Sequence, residues 1–135
     1  MKRLLVFLAA ALLLIPTAFA QEQTTTKMDK KNLVIKEWNT DAKGNHKTLD
    51  HVTTYNANGK KLEEIEYTQE GQKWRKRFEY DAEGKLTREL VYDNRNRLQT
   101  YKKFEFNELG KKKIQYTYNA KGKLLSIKQY EYIAQ

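Results

Sequence analysis

The chain has 135 residues, 26 Lys and Arg against 17 Asp and Glu, a formal net charge of +9, and no cysteine. That length supplies one domain, and the missing cysteine removes thiol nucleophiles and disulfide frameworks. Ser126 is the only serine and falls mid-strand, so a serine nucleophile finds no support either.

Residues 1–20 read as a secretory signal peptide. Lys2 and Arg3 make a positive start, Leu4 to Pro16 is an apolar run, and Ala18-Phe19-Ala20 is a small-x-small site before Gln21. The run is short for a membrane span, and no cysteine follows it for a lipid anchor. Cleavage would leave 115 residues, with 24 Lys and Arg against 17 Asp and Glu (net +7) and no span. The expected location is periplasmic or extracellular. Residues 21–31 are polar and aperiodic and are expected to form a flexible leader. Residues 32–135 are expected to form a single β-repeat domain.

A cassette then recurs: an aromatic residue, Asn or Asp, two variable residues, and Gly. It reads Tyr55-Asn56-Ala57-Asn58-Gly59, Tyr80-Asp81-Ala82-Glu83-Gly84, Phe106-Asn107-Glu108-Leu109-Gly110 and Tyr118-Asn119-Ala120-Lys121-Gly122. Looser copies begin at Thr40, Tyr67 and Tyr92, the last with Asn96 in place of Gly. Asn and Asp bond their own backbone two residues on, and Gly or Asn supplies the positive φ that closes a type I turn with a bulge. Seven such turns, 12–15 residues apart, join eight strands of about eight residues. The predicted fold is all-β, an antiparallel up-and-down meander.

Indexed from the first cassette residue, Trp38, Ile65, Phe78, Leu90, Phe104 and Tyr116 stand two positions earlier, and only Thr53, before Tyr55, breaks this apolar series. Phe78, Leu90, Phe104 and Tyr116 thus pair with Tyr80, Tyr92, Phe106 and Tyr118. Residues two apart share a face. All these pairs, with Tyr130 and Tyr132, are therefore expected on one face, and Leu86, Leu98 and Leu124 beside them. The same parity carried inward reaches His51, Glu63, Lys76, Arg88, Lys102 and Lys128. Charges inside a dry eight-stranded barrel would be costly, so an open twisted sheet is favoured over a closed one. Leu62 and Trp74 run out of phase, which predicts a bulge or register change near 60–75.

The cassette followed by Gly-Lys-Leu, at Gly84-Lys85-Leu86 and Gly122-Lys123-Leu124, with Asn96-Arg97-Leu98 as a variant, resembles the tyrosine–aspartate repeat of the YD/RHS family. The signal peptide, small size and whole-chain repeat also resemble small exported repeat proteins of unknown function of the Bacteroidales type. The resemblance covers about residues 33–135. It implies a β scaffold, often associated with surfaces or carbohydrate, and it brings no catalytic residues.

No catalytic constellation assembles from this sequence, and the expectation is a protein that is not an enzyme and takes no cofactor or metal. His46 and His51 flank the first turn and read as exposed. Asp81 and Asp93 are accounted for as turn residues, and each glycine belongs to one turn rather than to a phosphate loop. The candidate ligand site is the basic band with its aromatic rims: Lys76, Arg88, Lys102, Lys128, Tyr80, Tyr92, Phe106 and Tyr118. Aromatic faces stack on sugars, and ammonium or guanidinium groups bind carboxylate, sulfate or phosphate. The expected function is an exported binding module or scaffold, with a glycan or anionic polymer as partner and no specific nucleic acid. The alternative is an assembly protein that self-associates through its exposed edge strands.

Overall fold

The computed structural model describes residues 27–135; the expected signal peptide and residues 21–26 of the leader lie outside the described residues. Eight strands follow in chain order: β1 (Val34–Thr40), β2 (Lys47–Tyr55), β3 (Lys61–Thr68), β4 (Gly71–Tyr80), β5 (Leu86–Tyr92), β6 (Leu98–Phe106), β7 (Lys112–Asn119) and β8 (Leu124–Gln129). They form one antiparallel sheet in sequence order, and each strand packs only on its chain neighbours. The sheet is open, with β1 and β8 as edges, and no helix occurs among the described residues. Ahead of β1, Asn32 N–H donates to Asn56 O at 3.0 Å and Tyr55 N–H to Leu33 O at 2.9 Å, which extends the pairing of the first hairpin.

The turns show why the cassette needs its residues. At Asn56, one side-chain oxygen accepts the N–H groups of Asn58 and Lys60, both at 3.0 Å. Asp81, Asp93, Asn107 and Asn119 accept the corresponding pairs of N–H groups in their own turns. The fifth cassette residue donates to the carbonyl of the second and stands at positive φ: 71° at Gly59, 60° at Asn96. The loop after β3 differs. It is closed by the Thr68–Gly71 pair and leaves only Gln69 and Glu70 unpaired, while Gly71 takes φ 120°.

Every hairpin carries a register shift, not only the region near 60–75. Tyr55 faces Lys61 but Thr54 faces Glu63, so Leu62 is an extra residue. Thr87, Gln99, Lys113 and Leu125 are extra in the same way in later hairpins, and Asp50 and Lys73 in the first and third. Two residues then oppose one, which is a β-bulge. The bulge also resets side-chain parity. Leu86 pairs with Tyr80 and Arg88 with Glu79, so Leu86 and Arg88 lie on opposite faces although they are two apart.

The single aromatic face expected from sequence is therefore corrected. We call the face bearing Phe78 and Tyr80 the front. Tyr55, Phe104 and Phe106 share it, whereas Tyr67, Leu90, Tyr92, Tyr116 and Tyr118 lie on the back. The turns after β2, β4 and β6 share one end of the sheet, and their aromatics face front. The turns after β3, β5 and β7 share the other end, and their aromatics face back. Local pairing holds within each hairpin: Leu86 sits by Tyr80, Leu98 by Tyr92 and Leu124 by Tyr118.

A single layer leaves little to bury. Among the described residues only Leu90 and Thr53 fall below a tenth of their free exposure, at 8% and 7%. Seven hydrogen-bonded ladders and cross-strand side-chain pairs carry the stability in place of a core. Lysine ammonium groups sit over ring faces: Lys47 over Trp38, Lys112 over Phe104 and Lys103 over Tyr118. Such contacts contribute about 0.5–1 kcal/mol each at exposed positions. Turns at the same end are also tied together. Gln72 Nε2 donates to Asp93 O at 2.8 Å and to Asn96 Oδ1 at 2.9 Å, and Lys60 Nζ reaches Gly84 O.

Candidate functional site

The register divides the eight residues singled out from sequence. Lys76, Lys102, Lys128, Tyr80 and Phe106 face front; Arg88, Tyr92 and Tyr118 face back. Of the other residues on that supposed band, His51 is on the front and Glu63 on the back. The continuous basic band is corrected to a front cluster and a separate set of back-face pairs.

On the front, Phe78, Glu89, Lys102, Thr117 and Ser126 lie side by side across β4 to β8. Glu89, opposite Phe78 on the front, was not among the residues singled out from sequence. Its carboxylate, 14% exposed, stands between two ammonium groups, with Lys76 Nζ and Lys102 Nζ each 3.8 Å from Oε1. Both distances exceed hydrogen-bond length but lie within ion-pair reach, so the two ammonium groups share one carboxylate charge. Lys76 Nζ also lies 5.1 Å from the Trp74 ring centre, and Lys128 Nζ 5.5 Å from that of Tyr130. Phe104 and Phe106 stand with ring centres 6.5 Å apart on the same face. Glu64 stands opposite Lys76 on the same face and pairs with Lys61, so four lysines against two glutamates leave this patch cationic beside a row of rings. Tyr80 is less free: its hydroxyl donates to Lys61 O at 2.5 Å, and burial pushes its pKa above the usual phenol value.

The back-face residues are already partnered. Arg88 Nε donates to Glu79 Oε2 at 2.6 Å, and that hydrogen bond with the charge of Glu79 raises the guanidinium pKa further. Arg75 caps the Tyr92 ring at 4.5 Å and lies 3.6 Å from Glu63. The Arg75 Nε is buried without a partner. Tyr118 stacks on Tyr101 with centres 5.0 Å apart and planes 13° from parallel. These rings have one side occupied by the protein itself.

Among the described residues no group of three His, Cys, Asp or Glu side chains could hold a metal ion. His51 packs edge-on against Trp74 at 5.8 Å. Nearby, Glu66 accepts from Lys73 at 2.8 Å, which lowers the carboxyl pKa and raises that of the lysine.

No protein-family model and no curated protein matches the chain. Two solved structures show a distant similarity. One is accessory secretory protein 1, 2 and 3 of Streptococcus pneumoniae, at 17% identity over 79% of this chain and 21% of that one, with a TM-score of 0.31. The other is a GtfA/B complex bound to UDP and GlcNAc, at 13% identity over 70% of this chain and 20% of that one, with a TM-score of 0.29. The chain spans about a fifth of each of those chains, and similarity this distant carries no functional argument.

Proposed function

We propose that the protein is an exported, non-enzymatic binding module of YD-like repeats that lays an extended anionic polymer, a glycan in the first instance, across its front face. The observation that carries this reading is the pair of ammonium groups held 3.8 Å either side of Glu89. Two ammonium groups share one carboxylate and neither is hydrogen-bonded to it, so the trio keeps a net positive charge and N–H donors for an arriving carboxylate or sulfate. Trp74, Phe78 and Phe104 border the lysines on the same face, each with a lysine ammonium 4.5–5.8 Å from its ring centre.

The test is binding of the purified protein to acidic and neutral polysaccharides at low and physiological salt. Lys102→Glu is expected to abolish saturable binding to the acidic polymers. Arg88→Glu, on the other face, is expected to leave it intact. Equal loss in both variants, or binding that disappears with modest salt, would reduce the front face to a nonspecific cationic surface.

A further inference from the structure

Independently of any ligand on the front face, the two edges of the sheet are complementary to each other. β8 is exposed along its whole length, and Leu124, Leu125 and Ile127 stand 43%, 54% and 54% exposed. On β1, Val34 and Trp38 are 51% and 45% exposed. Among the described residues outside the strands, no backbone hydrogen bond goes to the outer side of either edge. An exposed, apolar, unpaired strand is the feature that monomers commonly blunt.

The direction and phase of the two edges match. With an even number of strands, β1 of a second copy lies antiparallel to β8 in the place a ninth strand would take, with front continuing onto front. Tyr130 N–H donates to Lys113 O at 3.0 Å, so alternation turns the peptide groups of Ile127 and Gln129 outward. Tyr55 N–H donates to Leu33 O at 2.9 Å, which by the same alternation turns those of Val34, Lys36 and Trp38 outward. Both outward sets belong to back-face residues, so the two edges can close one ladder.

We infer that the protein assembles head to tail, β8 of one copy taking β1 of the next with Ile127 opposite Trp38 and Lys128 opposite Glu37. The register then places Gln129 against Lys36, Ser126 against Asn39 and Tyr130 against Ile35. These five pairs equal the five that join β5 to β6 within the chain. Ile127 and Trp38 meet as a hydrogen-bonded pair on the back. Lys128 and Glu37 meet as a non-hydrogen-bonded pair on the front, the arrangement in which side chains come closest. Pairing like edges gives no such match. β8 contains no acidic residue, and on β1 the opposite charges Lys36 and Glu37 lie on different faces. Head-to-tail contacts leave free ends, so growth is open rather than closed at a dimer.

Sedimentation velocity of the natively processed protein over a wide concentration range tests this. The weight-average sedimentation coefficient is expected to rise with concentration without levelling at a dimer. Lys128→Glu and Glu37→Lys each remove an attraction and add a repulsion, and each is expected to weaken association about two- to thirty-fold. Both residues are exposed, so far-UV circular dichroism is expected to remain unchanged. The double variant with the charges exchanged is expected to recover association. A monomer at all concentrations, a plateau at dimer, or singles that weaken association without recovery in the exchanged double would each overturn the register.

Discussion

Asn107→Ala isolates the chemistry on which the repeat depends. The Asn107 side-chain oxygen accepts from Leu109 N–H at 3.0 Å and Lys111 N–H at 2.9 Å, between β6 and β7. Alanine leaves both donors to water. A neutral hydrogen bond contributes a net of about 0.5–1.5 kcal/mol, and the exposed turn places these two at the lower half of that range. The expected loss is about 1–2 kcal/mol, a fall in Tm on the order of 5–15 °C for a domain of this size. Asn107→Asp keeps the acceptor, as Asp81 and Asp93 do in their own turns, and is expected to lie close to the parent at neutral pH. Thermal unfolding followed by circular dichroism measures both variants. Because strands contact only their neighbours, amide exchange in Asn107→Ala is expected to quicken in β6 and β7 and to remain unchanged in β2 and β3. A loss below about 0.3 kcal/mol in the alanine variant, or an aspartate variant as unstable as the alanine one, would refute the assignment of the oxygen as the element that closes the turn.

Two further outcomes follow from the side-chain geometry. The backbone hydrogen bonds from Arg97 and Arg95, with the Arg97 guanidinium at 2.8 Å, hold the Asp93 carboxyl below its usual range. Its folded pKa is depressed, so its contribution is complete above the unfolded value of about 4 and is lost as pH falls through the folded one. Denaturant midpoints measured from about pH 6 down to about pH 2 are expected to fall less steeply in Asp93→Asn, and identical profiles would contradict the linkage. A double-mutant cycle of Tyr101→Ala and Tyr118→Ala is expected to show about 0.5–1.5 kcal/mol of coupling from the stacked rings, and additive effects would mean that the stack contributes nothing.

The turns were legible because their chemistry is local. Asn or Asp bonds within four residues and Gly takes the positive φ, so seven turns, eight strands and an open sheet follow from spacing and charge. The assignment of faces was not legible, because a period of two holds only along an unbulged strand. Arg88 shares parity with Leu86 in the sequence, yet the extra residue Thr87 sends them to opposite faces. The same shift at Gln99 brings Lys102 opposite Glu89 and so creates the front cluster. Leu62 and Trp74 did carry the signal, but read as a local irregularity rather than as one instance of a rule obeyed by every hairpin.

The alternation of aromatic residues between faces has a consequence for how such a chain can change in length. One strand with its turn is carried onto the next by a half-rotation about an axis in the sheet plane and a step of one strand spacing. The molecule is thus organised about a two-fold screw axis, and its unit is one strand of 12–15 residues rather than one hairpin. Adding or losing a single unit reverses which end the chain leaves from, but it leaves every remaining aromatic on the face its own turn requires. An even number of units, as here, makes the whole chain equivalent to a pure translation, so successive copies would repeat without inverting the lysine-bearing surface.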